Sequence, residues 1–246
     1  MPQHSSLHTH DLSSFNAMLI CEGPTHSQTI KPLMIPSLNF VLLSLAGLAV
    51  SQDHSLSAVK AAFDAASIPQ DLFINFNPTA LLEVTFPQPT GNSITLSAGV
   101  QLPRNATAGP PTFGAIGDIG NGPFVIATVD PDAPTPQDPT EAQIRHFLGP
   151  NYFTQSLQNG QDHVEALVNR TPALSEFKQP TPPAGSDAHR YIFLLFNQPD
   201  MFNAQRLVTA TTPIDLFNIS AFAAATGLGD PIAGTFMRVA PDPTMA

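Results

Sequence analysis

Between Leu82 and Phe86 apolar side chains alternate with Glu83 and Thr85, and further on Ile94 and Leu96 alternate with Thr95 and Ser97. A period of two marks strands with one buried and one solvated face, and the turn at Gln88 to Asn92 between them predicts a hairpin. Two other stretches, Phe124 to Val129 and Tyr191 to Phe196, are apolar at nearly every position. They are too short for helices and rich in β-branched and aromatic residues, so they predict buried strands. Val164 to Val168 predicts one more strand, leading into a proline-rich loop over 169–188 beside the chemistry described next. Helical spacing occurs in two places. Val59, Ala62, Phe63 and Ala66 share a face of a helix over 56–66 that stops at Ile68-Pro69, and a second helix over 220–226 has Asn218 or Ser220 as cap and Gly227 as stop. There is no internal repeat.

The polar chemistry sits where the apolar runs begin and end. The first buried run stops at Asp130-Pro131-Asp132-Ala133-Pro134, where two prolines remove backbone donors and fix φ on either side of Asp132. The second is entered from His189-Arg190. If these two strands are adjacent and antiparallel, an imidazole, a guanidinium and two carboxylates converge at one sheet edge. Arg145-His146-Phe147 is a third segment that couples polar groups to an apolar continuation. An imidazole with a pKa of about 6.5 offers one or two N–H donors, and Tyr191 offers an O–H, so the set suits an anion. Asp130 fits the same scheme if it accepts a hydrogen bond from an imidazole and fixes its tautomer, leaving the other ring nitrogen toward a ligand. Arg190 is assigned a structural role, pairing with a carboxylate to brace a loop. Each segment also has a plain structural reading: a proline-rich strand terminator, a satisfied sheet histidine at 146, and a solvated strand end at 189.

The Asp-Pro-Asp-Ala-Pro segment, the later Asp138-Pro139, the His146-Phe147 pair and the His189-Arg190-Tyr191 strand start occur in the order and approximate spacing of one family. On these motifs the chain resembles the phosphatidylethanolamine-binding protein family, as a secreted, fungal-type member. The resemblance extends outward through Phe76-Asn77-Pro78-Thr79 to Ala221-Phe222 and Gly234-Thr235, and spans roughly Asp71 to Val239. It implies a mostly β fold: a large antiparallel sheet packed on a smaller sheet, with peripheral helices. It also implies a cavity that accepts phosphate, acetate or a phosphoethanolamine head group without metal or cofactor. Residue by residue that cavity carries over to Asp130, Asp132, Ala133, Pro134, His146, His189 and Tyr191. Two features depart from the family pattern. Ile144-Arg145 stands where members often have an aromatic residue and a second His, altering one wall of the pocket. Only Ala240 to Ala246 follow the last strand, so the helix that supplies another tyrosine to the cavity mouth in many members is expected to be missing.

The reading is therefore a non-catalytic binding protein for a small anion or phospholipid head group. An alternative drawn from the same resemblance is inhibition of a serine carboxypeptidase or other protease through exposed segments, with Asp53 to Phe73 and Asn169 to Ala188 as candidates. A second alternative is a metal-dependent hydrolase, since two His and a carboxylate can form a facial triad. Within residues 52–246 the locally spaced patterns that gather metal ligands, His-x-His or Glu-x-x-His, are absent, as are a nucleophile elbow and a phosphate-cradling Gly-rich loop.

The first part of the chain has a different character. Residues 1–33 are polar, rich in Ser and His, and carry no core-building periodicity, so they read as disordered or as an upstream extension of the gene product. Phe40 to Val50 is apolar and ends in Ala49-Val50-Ser51, which predicts a secretory leader over 34–51; the run is shorter than the 20 or so residues a bilayer requires. A hydrophobic first strand or helix is the alternative. Residues 52–246 are then a single domain, long enough to bury a core without cross-links. The one cysteine, Cys21, precedes the leader. Export agrees with acceptor sequons for N-glycosylation at Asn105, Asn169 and Asn218. The net charge of −10, with nine scattered Lys and Arg, leaves no basic stripe for a polynucleotide and no cluster for stable adsorption on an anionic membrane. The 26 prolines, about twice the usual share, suit sheets joined by long ordered loops.

Overall fold

The computed structural model describes residues 52–156 and 164–243, all within one unit spanning 47–246. The expectations for the 1–33 extension, the 34–51 leader and Cys21 lie outside the described residues. Helix α1 (Leu56–Ala65) starts at Ser55, whose Oγ accepts from the Ala58 amide at 3.3 Å, and it buries Val59 and Phe63. Phe63 stacks on Phe76 with centroids 3.9 Å apart and meets Phe236 edge-on at 5.5 Å. The sequence predicts a stop at Ile68-Pro69. Instead the chain turns at Ser67, with φ of 55°, and begins helix α2 (Ile68–Leu72). Proline is tolerated there because the first helical turn leaves its N–H groups unpaired anyway.

Nine strands follow among the described residues: β1 (Leu81–Phe86), β2 (Ile94–Thr95), β3 (Val100–Leu102), β4 (Thr112–Ile116), β5 (Phe124–Asp130), β6 (Ile144–Ser156), β7 (Val164–Asn169), β8 (His189–Asn197) and, after helix α3 (Ile219–Thr226), β9 (Ala233–Val239). They form one mixed sheet in the order β2-β1-β4-β7-β6-β5-β8-β9-β3, antiparallel except for the β3–β9 pair. The fold is mostly β, as expected. The smaller layer is not a separate sheet: it is the β1–β4 limb of the same hydrogen-bonded ribbon, curled over the β8–β9 limb. Phe193 on β8 lies 6.3 Å from Phe86 on β1 and 6.4 Å from Phe113 on β4.

That curl accounts for the two hydrophobic patterns in the sequence. One face of the central strands sends Phe124, Ile126, Tyr191, Phe193 and Leu195 into the space under the β1–β4 limb. The other face sends Val125, Ala127, Val129, Ile192 and Leu194 against residues of the three helices, among them Phe63, Leu72 and Phe222. Strands covered on both sides must be apolar throughout, whereas β1 turns Glu83 and Thr85 outward and alternates. Each fully buried large aliphatic or aromatic side chain contributes about 1.5–3 kcal/mol, which is what holds the limbs together. Helix α3 is capped as the sequence predicts, by Asn218 Oδ1 accepting from the Ala221 amide at 2.8 Å, and Gly227 ends it at φ of 76°.

The long strand β6 is not anticipated by the sequence, because Gly149-Pro150-Asn151 reads as a turn. The strand continues through it as an irregularity: Phe124 pairs with Tyr152 and Ile126 with Gly149, so Pro150 and Asn151 together oppose Val125. Gly149 is required there, since a Cβ would come within 2.6 Å of the Phe147 ring. A second irregularity on the same strand is the device that builds the site.

Candidate functional site

Strands β5 and β8 are adjacent and antiparallel, with Val129 opposite Ile192. Asp130 and Tyr191 thus meet at one end, and strict alternation puts Asp130, His189 and Tyr191 on the face shared with Ile126 and Phe193. His189 and Arg190 lie inside β8 itself and are largely buried. His146 reaches this face only through a bulge. Thr128 pairs with Phe147 and Val129 with Arg145, leaving His146 as the extra residue. Without it, alternation along β6 would send His146 to the side of Leu148 and the helices. Instead its ring meets Tyr191 edge-on at 5.0 Å, and Tyr191 stacks against His189 at 6.4 Å. The two imidazoles flank one tyrosine.

The hydrogen bonds give the two histidines opposite characters. His189 Nδ1 lies 2.8 Å from Asp130 Oδ2, and its Nε2 lies 2.9 Å from Ser186 Oγ. The Ser186 hydroxyl donates to the Asp187 carbonyl at 2.9 Å, so its lone pair faces the imidazole and accepts from Nε2–H. Burial pushes the His189 pKa down, but the hydrogen bond and charge of Asp130, helped by Asp132 and the Pro134 carbonyl, outweigh it and raise it. His146 donates from Nδ1 to the Lys178 carbonyl at 2.8 Å. Its pKa is lowered by burial, which outweighs the opposing hydrogen bond to the Lys178 carbonyl and the charge of Asp130, with small further lowering from His189 and Lys178. Burial first, then Asp130, raise the Tyr191 phenol; its oxygen also accepts from the Thr181 amide. One imidazole is thus biased toward its charged form, while the other is biased toward its neutral form, with Nε2 free of any hydrogen bond among the described residues.

Asp132 belongs to the framework of the site. Its Oδ2 accepts from the Arg190 amide at 2.7 Å and from Nε at 3.0 Å, and its Oδ1 accepts from Nη2 at 2.6 Å. Arg190 Nη1 reaches Asp71 at 2.7 Å and the Ala66 carbonyl. The guanidinium therefore ties the Asp-Pro-Asp loop to the end of α1 and to α2, the bracing role that the sequence assigns to it. The Asp132 amide donates to Asp130 Oδ1 at 2.8 Å, which holds the first carboxylate toward His189. Ala133 is buried, and Pro134 is half-buried with its carbonyl beside His189. Sequence reasoning missed Ser186, Asp71 and the Lys178 carbonyl. Only folding brings the 169–188 loop along β6, where the Leu148 amide donates to the Ser175 carbonyl at 3.0 Å and the Lys178 amide to the His146 carbonyl at 2.9 Å.

Among the described residues no three His, Cys, Asp or Glu side chains gather as a metal-holding set, and no helix is long and apolar enough to cross a membrane. Asn105, Asn169 and Asn218 are all exposed.

Comparison with known proteins agrees with this architecture. The chain is 28% identical to the 26 kDa secreted antigen of Toxocara canis over 170 residues, which is 68% of this chain and 59% of that one, so it spans less than two thirds of that relative. It is 29% identical to protein BROTHER of FT and TFL 1 of Arabidopsis thaliana over 168 residues, covering 68% of this chain and 84% of that protein. Among solved structures, the carboxypeptidase Y inhibitor in complex with its cognate proteinase superposes with a TM-score of 0.64 at 20% identity, over 76% of this chain and 97% of that one. The phosphatidylethanolamine-binding protein of Plasmodium vivax superposes with a TM-score of 0.53 at 14% identity, over 74% and 97%. These two show a shared fold. The family model described as phosphatidylethanolamine-binding protein matches residues 89–237, more than half of the chain, and the chain belongs to that family.

Proposed function

We propose that this protein holds a small anion, either phosphate or the phosphate of a phosphoethanolamine head group, against His146 and Tyr191, and does no chemistry on it. The observation that supports the reading is the unengaged Nε2 of His146 on a face it occupies only because of a bulge, next to an imidazole fixed by Asp130. A neutral Nε2 becomes a charge-assisted donor on protonation. Asp130 and Tyr191 orient the histidines, while Asp132, Ala133 and Pro134 shape the loop around them. No cofactor enters the scheme. The protein is exported and carries glycans on Asn105, Asn169 and Asn218.

Calorimetric titration with phosphate and with phosphoethanolamine at pH 5 and pH 8 tests this. Binding is expected to be tighter at pH 5 and to weaken about tenfold or more in His146→Gln. Equal affinity at both pH values, or an unaffected variant, overturns the assignment. Tighter binding of phosphoethanolamine than of phosphate identifies a head-group site.

A second reading, inhibition of a serine carboxypeptidase, draws support from the fold shared with the carboxypeptidase Y inhibitor. The segments available for it are Asp53 to Phe73, which ends on a Phe73 side chain 74% exposed, and the Asn169 to Ala188 loop. Enzyme assays with and without the first of these segments decide it: unchanged carboxypeptidase turnover at saturating protein rejects inhibition.

A further inference from the structure

Arg145 is the largest charged side chain buried in the described structure, with 1% of its surface exposed, and among the described residues no carboxylate lies within ion-pair distance of it. Its Nε donates to Ser175 Oγ at 2.7 Å, its Nη2 donates to the Thr212 carbonyl at 2.9 Å, and the guanidinium lies 5.0 Å from the centroid of the Phe217 ring. Nη1 makes no hydrogen bond among the described residues. Neutral oxygens and a ring face compensate a buried cation only partly, and its proton affinity is lowered by burial with no charge opposing the shift.

Arg145 is among the residues that line a cleft of about 450 Å³, a size typical of small-molecule sites, together with Val208, Leu216, Phe217, Phe222 and Ala225. The cleft is apolar and opens beside α3. Its one acidic neighbour, Asp215, is exposed on the rim. The segment that covers Arg145 is held under backbone strain: Leu216 sits at φ of 54° with its side chain 67% exposed. That conformation is maintained by the Leu216 and Phe217 amides donating to the Glu141 and Gln143 carbonyls, and by the Arg145 amide donating to the Ile214 carbonyl. Strain of this kind recurs at ligand clamps.

We propose that this cleft is a second binding site, specific for a small monocarboxylate with an apolar chain, whose carboxylate pairs with Arg145 and whose chain lies against Phe217, Phe222 and α3. Charge decides between guests. An uncharged apolar molecule leaves the cation unpaired, and an alkylammonium places like charges together. Adsorption of anions elsewhere is opposed by the net charge of −10. The site is distinct from the histidine face, since Arg145 and His146 turn to different neighbours, Phe217 and Tyr191.

The test is calorimetric titration of the whole protein with octanoate, octylammonium and octanol at pH 7. Octanoate is expected to bind one to one, with the other two at least about tenfold weaker. Arg145→Gln is expected to abolish the preference for octanoate. Because that change alters a buried group and the variant can fail to fold, Ala225→Trp provides a second arm, filling the cleft from an exposed position on α3. It is expected to weaken octanoate about tenfold or more while leaving phosphate binding unchanged. No saturable octanoate binding, equal binding of octanol, or full octanoate affinity in Ala225→Trp overturns the proposal, whatever the phosphate titration shows.

Discussion

Replacing Asp132 with Ala probes the brace that positions the Asp-Pro-Asp loop. The change removes three hydrogen bonds, to the Arg190 amide at 2.7 Å, Nε at 3.0 Å and Nη2 at 2.6 Å, and strips a guanidinium 17% exposed of the carboxylate that is only 3% exposed. Removing one partner of a buried pair costs about 3–5 kcal/mol. Part of that is offset here, because Asp71 remains at 2.7 Å and water reaches one side of the arginine. The expected loss is about 2–4 kcal/mol, which for a domain of about 190 residues lowers Tm by about 5–12 °C. Arg190→Met leaves Asp132 charged and unpaired in the interior, and is expected to cost about 3–5 kcal/mol. Asp71→Ala removes a partner that is 42% exposed and is expected to cost about 0–1 kcal/mol. The chain has no tryptophan, so urea unfolding is followed by far-ultraviolet circular dichroism. An Asp132→Ala loss below about 1 kcal/mol, or one no larger than that of Asp71→Ala, refutes the idea that this ion network fixes the loop.

The two histidines should act on stability at opposite ends of the pH scale. The raised pKa of His189 stabilises the fold fully below the unfolded value of about 6.5, and that contribution is lost as pH rises through the folded pKa. The lowered pKa of His146 has the reverse sign, so it erodes stability as pH falls below about 6.5. Melting curves from pH 5 to 8.5 are therefore expected to lose their alkaline decline in Asp130→Asn and their acidic decline in His146→Gln; identical profiles in all three proteins contradict the assignment. Gly234→Ala is expected to destabilise by about 1–3 kcal/mol, because the added Cβ would lie 2.8 Å from the backbone oxygen of Phe193 and 3.1 Å from the Phe63 ring. A change within 0.5 kcal/mol would mean that β8 and β9 separate more easily than their packing implies.

The sheet was legible in the sequence wherever one rule governed a whole strand. The runs from Phe124 and Tyr191 are apolar throughout because both their faces are covered, and β1 alternates because one of its faces is wet. Their shared edge, and hence the meeting of Asp130 with His189, followed from an antiparallel pairing. What escaped was what breaks the rule. Strand β6 hides behind Gly149-Pro150-Asn151, and the contribution of Ser186, Asp71 and the Lys178 carbonyl depends on loops whose docking no local pattern encodes. The second layer was expected as a separate sheet because curvature, unlike alternation, leaves no period in the sequence.

The bulge at residue 146 works like a single extra tooth on a zipper. Closing it up by one position would exchange the occupants of the two chambers, sending a permanent positive charge toward Tyr191 and an imidazole under Phe217. Deleting Arg145, by contrast, would keep Ile144 opposite Asp130 and set His146 opposite Val129, so the imidazole would pass to the Phe217 side and Tyr191 would lose the ring it meets edge-on.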